Sequence, residues 1–551
     1  MSDKYVIGLD FGTQSGRGVL VRLSDGAEIA VSVSGYSRGV VTETLPNGPE
    51  LPPGFALQHP EDYLGALEFI IKELLGKTGI SESRIMGIGV AATSCTILPA
   101  LKDGASLCSL KEYASDPHSW AKLWKHHGAL QEAAELNQFL IENAPHLALQ
   151  FGANSAERML PKILEIKRHS PQVYEAAYTF VELADWIVWK LTGRLQRSAP
   201  IAGYKTLWRK ETGYLDPKML TVIDEDYRDI IKNKLPGPVI PMGLAGTISP
   251  AVSNKLGLDP ATAVATGHID AHAAVLGSGV AGPGTVVMVM GTSSCHLLLD
   301  ERLGLAEGMS GAVKDGIVEG YYAYESGQSS VGDQFQWFVE QAVPGSYQNA
   351  AREAGKDLFG YLEEMACQLP LGKTGLLALD WWRGNRSVLN NASLTGLIIG
   401  LTMETKPEEI YLALLESTAF GARRIIESFK ERGLAVEQIR ACGGLPKKNK
   451  LLAQIYADVM KCPIEIAASD YTSALGMAMW AGVAAGPEKG GYENIEAAVE
   501  KMAPQAVTTY YPCPERKLDY DSLYQEYRRL YDYFGRGGNK VMERLQARKL
   551  V

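Results

Sequence analysis

Two stretches of the chain share one pattern of apolar and small polar positions. Residues 5–22 read YVIGLDFGTQSGRGVLVR, and residues 285–299 read TVVMVMGTSSCHLLL. In each, an apolar run rich in β-branched residues leads into Gly, Thr and Ser and then into a second apolar run, which predicts a β-hairpin with a tight turn. Successive backbone N–H groups in such turns form nests that bind phosphate oxygens. The repetition predicts a duplicated core that holds one nucleotide between two domains.

Strand-like and helix-like segments alternate along the rest of the chain, which is typical of an α/β protein. Apolar residues at helical spacing predict helices over 59–79, 408–432, 449–460 and 472–486. Buried apolar runs predict strands over 84–94, 439–444 and 463–469. Residues 261–277 predict a strand, a turn and a helix that starts near Asp270, and the charged segment 515–551 predicts a surface helix.

The length of 551 residues is too great for a single core and predicts two large domains. The Gly- and Pro-containing stretch SGVAGPGT (278–285) directly precedes the second hairpin. We therefore predict an N-terminal domain over 1–277 and a C-terminal domain over 278–551.

Composition and charge narrow the classes of function. The net charge of −9 argues against a protein that binds nucleic acid through a broad basic face. The sequence has no apolar stretch of about 20 residues, so no membrane span is expected. No signal peptide is visible, and seven scattered cysteines without a C-x-x-C pair indicate reduced thiols. We expect a cytoplasmic protein.

Three strings resemble other sites but lack the context that those sites require. LGKTG (371–375) has Cys367 where a P-loop needs Gly. GSGVAG (277–282) follows a helical segment, whereas the dinucleotide-binding fingerprint follows a strand. His268 and His272 have helical spacing but no evident third ligand, so a zinc site is not expected.

Two carboxylates and one glycine pair are candidates for chemistry. Asp10, at the end of the first strand, offers the oxygen ligand that a Mg²⁺ ion accompanying phosphates requires. Asp270 is either a simple N-cap or the group that deprotonates an attacking hydroxyl. The order strand, Gly-Gly, helix over 441–460 is either an ordinary turn or a place where a flat adenine approaches the backbone.

The order of DFGTQS, MGTSS and CGG followed by Asn resembles the two phosphate elements and the adenosine element of the actin, hexokinase and Hsp70 ATPase superfamily. Within it, GLIIGL (396–401) and EIYLALLE (409–416) resemble the C-terminal signature of the FGGY carbohydrate kinases. In the N-terminal signature, MLPKILEIK has Lys162 but carries Glu165 where many members have Trp. The resemblance implies an α/β fold of two ribonuclease H-like (actin-like ATPase) domains with a deep interdomain cleft.

Further strings are similar to family members that phosphorylate L-ribulose. They are LWKHH (123–127), AGYKTLW (202–208), HIDAHAAVLG (268–277), YESGQSSVGD (324–333), LALDWWRGNR (377–386) and ASDYTSALG (468–476). The implied activity is ATP-dependent formation of L-ribulose 5-phosphate in L-arabinose catabolism. A sister kinase acting on D-ribulose, ribitol, xylulose or glycerol is the alternative, and an actin- or Hsp70-like nucleotide switch is a remote one.

The resemblance also implies a role for individual residues, with ATP and Mg²⁺ as cofactors, a 2-ketopentose as the partner, and a homodimer as a compatible assembly. Asp10 would hold Mg²⁺ through water, and Asp270 would be the catalytic base. The nucleotide would contact Thr13, Ser15, Arg17, Gly291, Thr292, Ser293, Gly443, Gly444 and Asn449. The sugar would contact Asp270, the backbone of Ala92, Lys205, Glu325, Trp124 and Trp208. Core packing for the tryptophans, and a solvated surface position for Lys205 and Glu325, are the alternatives.

Overall fold

The computed structural model describes residues 3–46, 48–152, 155–214, 225–304, 308–309, 311–506 and 508–549. The chain divides into two compact units. Unit 1 comprises Met1–Gly282, Ala312–Ala323 and Tyr471–Pro504. Unit 2 comprises Pro283–Gly311, Tyr324–Asp470 and Gln505–Val551. The first segment of unit 1 ends within the stretch 278–285, and two later segments of the chain also belong to this unit.

The secondary structure alternates between short strands and helices. The strands are β1 (Tyr5–Phe11), β2 (Ser15–Arg22), β3 (Glu28–Gly35), β4 (Leu57–Gln58), β5 (Ile85–Ala92), β6 (Ile97–Ala100), β7 (Ala121–Lys122), β8 (Thr179–Glu182), β9 (Arg197–Ser198), β10 (Val239–Ile240), β11 (Leu244–Thr247), β12 (Ala263–Ala265), β13 (His268–Ile269), β14 (Gly284–Met290), β15 (Ser294–Asp300), β16 (Gly311–Lys314), β17 (Tyr322–Gln328), β18 (Leu377–Leu379), β19 (Leu397–Ile399), β20 (Val436–Cys442), β21 (Ile464–Ile466) and β22 (Thr508–Tyr510). The α-helices are α1 (Pro60–Thr78), α2 (Leu130–Asn143), α3 (Pro145–Phe151), α4 (Met159–His169), α5 (Pro171–Ala176), α6 (Leu183–Thr192), α7 (Ala199–Thr206), α8 (Glu225–Asp229), α9 (Pro250–Leu256), α10 (Asp270–Gly277), α11 (Gly332–Gln341), α12 (Gly345–Glu353), α13 (Leu358–Cys367), α14 (Pro407–Glu431), α15 (Gly444–Lys448), α16 (Lys450–Met460), α17 (Thr472–Ala485), α18 (Ile495–Met502), α19 (Lys517–Gly535) and α20 (Val541–Lys549).

The core of unit 1 is a mixed sheet with the order β11-β12-β5-β1-β2-β3, and β13 also pairs with β5. Strands β1 and β2 form the predicted hairpin, with Asp10 opposite Arg17. Strand β5 runs parallel to β1, and strand β13 runs parallel to β5. A second, four-stranded sheet of the order β4-β7-β6-β8 lies in the same unit.

Helix α17 packs against strands β1 and β5 of this sheet and against helix α10. A Cβ atom on Gly476 of α17 would lie 1.9 Å from the carbonyl oxygen of Ala273 in α10, and one on Gly277 would lie 1.9 Å from that of Thr472. Only glycine fits at these two positions, because no real Cβ approaches a backbone oxygen so closely. The position of α10, which begins at Asp270, therefore depends on this close helix crossing.

In unit 2, strands pair in the order β17-β15-β14-β20-β21-β22. Strands β14 and β15 form the second predicted hairpin, and β20 runs parallel to β14. The segment predicted as a surface helix over 515–551 contains two helices, α19 and α20. Helix α19 is not confined to the surface, since one face buries a row of tyrosine side chains: Tyr520, Tyr524, Tyr527 and Tyr531.

In the part of the chain that the structure describes, no helix has both the length and the apolar character that crossing a membrane requires. The described cysteines are all free thiols.

Candidate active site

Three neighbouring parallel strands of unit 1 end at the same edge of the sheet. Asp10 of β1 is in register with Ala91 of β5, and Ala91 is in register with His268 of β13. Asp270 follows β13 directly and is the first residue of helix α10. The carboxyl ends of parallel strands are where open α/β sheets bind their ligands. The register therefore brings both predicted carboxylates, together with Ala92, to one edge.

The predicted phosphate loop one, residues 11–15, joins β1 to β2 at this edge. The amide of Gly12 donates to the Ser15 carbonyl oxygen at 3.1 Å, which closes the turn. The Thr13 hydroxyl accepts a hydrogen bond from the Trp124 indole Nε1 at 3.0 Å. The Thr13 carbonyl oxygen accepts one from the Gln58 amide at 3.4 Å. The loop is thus held by residues from the four-stranded sheet and from the turn that follows β7.

Asp10 is a buried carboxylate with one oxygen paired and one unpaired. Its Oδ2 accepts from the Arg17 guanidinium at 3.3 Å, whereas Oδ1 has no hydrogen-bond partner among the described residues. Burial raises the pKa of Asp10 above its ordinary value, and the charge of Arg17 acts in the opposite direction. A buried carboxylate oxygen without a partner is costly unless a cation or water binds to it. The described residues include no group of three or more side chains that would hold a metal by themselves.

Asp270 is half-buried, and its carboxylate is oriented by the backbone. Its Oδ1 accepts from the amide of Ala271 at 2.7 Å. The N-terminal position in α10 stabilises a negative charge there. The flanking His268 and His272 are fully buried, with ring centroids 5.7 Å apart, and burial holds the pKa of His268 well below its usual range.

Lys205 is buried on helix α7, next to carboxylates that the sequence analysis did not single out. It lines a small cavity together with Glu182, Asp185 and Arg197. Burial raises the pKa of Glu182 to about 8, and the charge of Lys205 lowers it in part. Lys205 is therefore not a solvated surface lysine, which favours the predicted polar pocket over that alternative.

The two predicted aromatic residues are both half-buried. Trp124 donates its indole N–H to loop one, as described above, and so its role is not core packing alone. Trp208 follows Leu207, a residue in the left-handed region with a φ of +60° that ends helix α7.

Glu165, at the position where the resemblance predicts Trp, forms part of a buried ionic cluster. Its carboxylate lies 3.3 Å from the Lys122 ammonium and 3.0 Å from Nε2 of His126. Lys162 is also buried and donates to the carbonyl oxygens of Cys95 at 2.6 Å and Leu123 at 2.7 Å. The negative charge at position 165 is therefore matched by Lys122, which directly precedes the LWKHH string, and by His126 within it.

The predicted phosphate loop two, Gly291–Ser293, joins β14 to β15 in unit 2. Two of its carbonyl oxygens accept hydrogen bonds from the segment after β17. The Val331 amide donates to the Thr292 carbonyl oxygen at 2.9 Å, and the Gly332 amide donates to the Gly291 carbonyl oxygen at 3.0 Å. Gly291 and Thr292 are exposed. A loop whose carbonyl oxygens are held against the protein can present its other face to an anion.

The predicted adenosine element lies at the end of β20, beside loop two. Cys442 of β20 is in register with Val289 of β14. Gly443 has a φ of +93°, and a Cβ atom there would lie 2.3 Å from the Met290 carbonyl oxygen. The Asn449 side chain accepts from the Leu452 amide at 2.7 Å and donates to the Tyr411 hydroxyl at 3.0 Å, so it caps helix α16.

Glu325 is buried on β17 in unit 2 and forms an ion pair with the half-buried Arg386. Nη1 of Arg386 also lies 3.7 Å from Sγ of Cys295. Arg386 was not among the predicted site residues, although it ends the string LALDWWRGNR. The sequence around a single arginine does not indicate which carboxylate the arginine pairs with.

Comparison with known proteins places this arrangement in a family. The N-terminal domain model of the FGGY family of carbohydrate kinases matches residues 5–277, and the C-terminal domain model matches residues 286–485. A protein named ribulokinase from Geobacillus thermodenitrificans is 49% identical over 549 residues, covering 99% of this chain and 97% of the relative. A ribulokinase from Mycolicibacterium smegmatis is 40% identical, covering 99% and 96%.

Solved structures agree on the fold. A gluconate kinase from Lactobacillus acidophilus superposes with a TM-score of 0.79 at 20% identity, covering 97% of this chain and 99% of that one. A xylulose kinase from Rhodospirillum rubrum gives a TM-score of 0.77 at 22% identity, covering 96% and 98%. These neighbours confirm the predicted α/β class and two-domain actin-like ATPase fold. With both family models matched along most of the chain, this protein belongs to the FGGY family of carbohydrate kinases.

Proposed function

We propose that this carbohydrate kinase transfers the γ-phosphoryl group of ATP to the terminal hydroxyl of L-ribulose, forming L-ribulose 5-phosphate in L-arabinose catabolism. The observation that carries the proposal is the convergence of Asp10, loop one and Asp270 at the ends of three adjacent strands. The near full-length identity to proteins named ribulokinase supports ribulose as the sugar. The proposal includes a cytoplasmic location, where ATP is available.

The residues around Asp10 fit a Mg²⁺ site. The unpaired Oδ1 supplies a hard oxygen acceptor for a water of the Mg²⁺ shell, and a single carboxylate is a common protein contribution when waters and phosphates complete that shell. Bound there through water, Mg²⁺ would neutralise charge on the transferring phosphoryl group. Arg17, whose side chain is 41% exposed, remains accessible to a phosphate while it pairs with Asp10.

Asp270 is the proposed general base. Its Oδ1 accepts a hydrogen bond from the Ala271 amide, which orients the carboxylate that would accept the proton of the attacking sugar hydroxyl. The hydroxyl oxygen then attacks the γ-phosphorus in line with the leaving ADP oxygen. Backbone and hydroxyl donors of the phosphate loops bind the oxygens on which charge develops.

The remaining roles are assigned by predicted domain. In the N-terminal domain (1–277), Thr13, Ser15 and Arg17 bind phosphate, while Ala92, Lys205, Trp124 and Trp208 contact the sugar. In the C-terminal domain (278–551), Gly291, Thr292 and Ser293 bind phosphate, Gly443, Gly444 and Asn449 border adenosine, and Glu325 contacts the sugar. Buried charged groups such as Lys205 and Glu325 suit a polyhydroxylated ligand, which offers many hydrogen bonds.

The test is an ADP-release assay with Mg²⁺-ATP against L-ribulose, D-ribulose, L- and D-xylulose, ribitol and glycerol. We expect the highest kcat/KM for L-ribulose. Preference for another polyol would replace the proposed sugar and keep the kinase, whereas ATP hydrolysis unaffected by every sugar would favour a nucleotide switch.

A further inference from the structure

The hydrogen bond between Trp124 and Thr13 has a direction that chemistry fixes. An indole N–H can only donate, so the Thr13 hydroxyl oxygen must be the acceptor. The hydroxyl's own hydrogen is therefore directed to a different acceptor. A hydroxyl that accepts a hydrogen bond also becomes a better donor. In a phosphate loop, an anionic phosphate oxygen is a suitable acceptor for such a donor.

Trp124 is held in place by its neighbours on both sides. Strand β7, just before it, pairs with β4, and the Leu123 carbonyl oxygen accepts from the Lys162 ammonium at 2.7 Å. After it, the His126 amide donates to the Leu123 carbonyl oxygen at 2.9 Å, while its ring contacts Glu165. The indole is thus presented to Thr13 from a rigid turn.

Lys162 connects this turn to the part of the sheet edge near Ala92, where the proposed function places the sugar. Lys162 also donates to the carbonyl oxygen of Cys95, in the turn that follows Ala92. Cys95 adopts a φ of +59°, which an L-residue keeps only where its surroundings hold it. One buried ammonium therefore fixes the backbone beside Ala92 and the backbone beside Trp124.

We propose that Trp124 is a positioning residue of phosphate loop one: it orients the Thr13 hydroxyl towards the nucleotide phosphate, and a sugar covering its ring strengthens that bond. The inference rests on the proposed function for the location of the sugar. Trp124 is half-buried, so part of its surface is exposed to solvent. Covering it removes water that competes for the bond, so sugar binding and nucleotide binding become coupled.

The experiment measures this coupling directly. Calorimetry gives the dissociation constant of Mg²⁺ with β,γ-imido-ATP, without sugar and with a saturating concentration of the sugar that the wild type phosphorylates in the panel above. We expect the sugar to tighten analogue binding in the wild type. Trp124→Phe keeps the ring but loses the donor, and it should reduce that tightening by about fivefold, the effect of one ordinary hydrogen bond.

Two further variants separate this role from a structural one. Thr13→Val should reduce the tightening by sugar by the same factor. Trp124→Phe combined with Thr13→Val should reduce it no more than either substitution alone, because each removes the same Trp124–Thr13 hydrogen bond. Trp337→Phe is the matched control: this tryptophan is 44% exposed on helix α11 of unit 2 and should leave the factor unchanged. Thermal unfolding establishes that each variant is folded.

The proposal is overturned if the wild type shows no tightening by sugar, if Trp124→Phe retains the full factor, or if the two single losses multiply in the double variant. Because the assay uses whichever sugar the wild type accepts, a wrong ribulose assignment changes the panel result but leaves this test intact.

Discussion

The carboxylate of Asp270 is oriented by a backbone amide, and this orientation matters for a base. The Ala271 amide binds Oδ1 and fixes the rotation of the carboxylate, so that a proton is accepted at a defined position. Arg386 acts in a comparable way on Glu325, where an ion pair fixes the carboxylate that the proposal assigns to the sugar. At the scale of single residues, each of these two carboxylates is oriented by a neighbouring donor, a backbone amide for Asp270 and a guanidinium for Glu325.

We predict that Asp270→Asn reduces kcat by about 10²–10⁴-fold, because the amide has the same shape but cannot accept the proton. Binding of β,γ-imido-ATP should stay within about twofold of the wild type, since the substitution leaves the phosphate loops unchanged. Steady-state kinetics and calorimetry on the same preparation measure both quantities. A variant that keeps more than a few per cent of the wild-type kcat would exclude Asp270 as the base.

The elements around the site owe their positions to close backbone contacts. Helices α10 and α17 cross where Gly277 and Gly476 face backbone oxygens of the other helix. This contact sets the direction of α10 and thereby the position of its first residue, Asp270. Glycine at such a crossing is a packing requirement for which no larger side chain can substitute without moving a helix.

Gly476→Ala should therefore lower the free energy of unfolding by about 1–3 kcal/mol, through overpacking, and should reduce kcat. Gly65→Ala is the matched control, because Gly65 is exposed in helix α1 and a Cβ there meets nothing within 4 Å. Alanine at that position should raise stability by about 0.5–1 kcal/mol, as it does in exposed helix interiors. Thermal and urea unfolding compare the two, and equal stabilities would contradict the packing argument.

Local patterns were sufficient to predict the elements that form the site edge. The hairpins with Asp10 and Gly291, and the helix that starts at Asp270, follow from short-range periodicity and turn composition. Contacts between distant segments were not predictable in this way. The match between Glu165 and Lys122, and the buried tyrosine face of α19, depend on tertiary neighbours that no local window contains.

For the whole molecule, buried acids make stability depend on pH. Asp185 lies buried at the start of helix α6 and accepts from the Ser198 amide at 3.0 Å. Burial raises its pKa from 3.8 to about 7, although Arg197 opposes the shift. Between these values the folded protein keeps a proton that the unfolded chain has lost. The stabilising contribution is therefore complete below about pH 4 and is lost as the pH rises through about 7.

Asp185→Asn should remove this dependence while keeping the oxygen that accepts from Ser198. The wild type should lose on the order of 1 kcal/mol of unfolding free energy per pH unit from this group between about pH 4 and about pH 7. The variant should show a shallower decline over the same interval. Urea unfolding at four pH values, spaced roughly one unit apart from about 4.5 to about 7.5, measures both slopes. Identical slopes would rule out a protonated Asp185 in the folded state.

The packing of helix α17 on strands β1 and β5 has a consequence for biosynthesis. About 460 residues separate β1 from the helix that covers it, and at about 5–20 residues per second a ribosome needs about 20–90 s to make them. During that time the nascent strands have no native cover on this face. We therefore expect the emerging chain to depend on chaperones until residues 472–485 leave the ribosome, and a fragment that stops before them to aggregate.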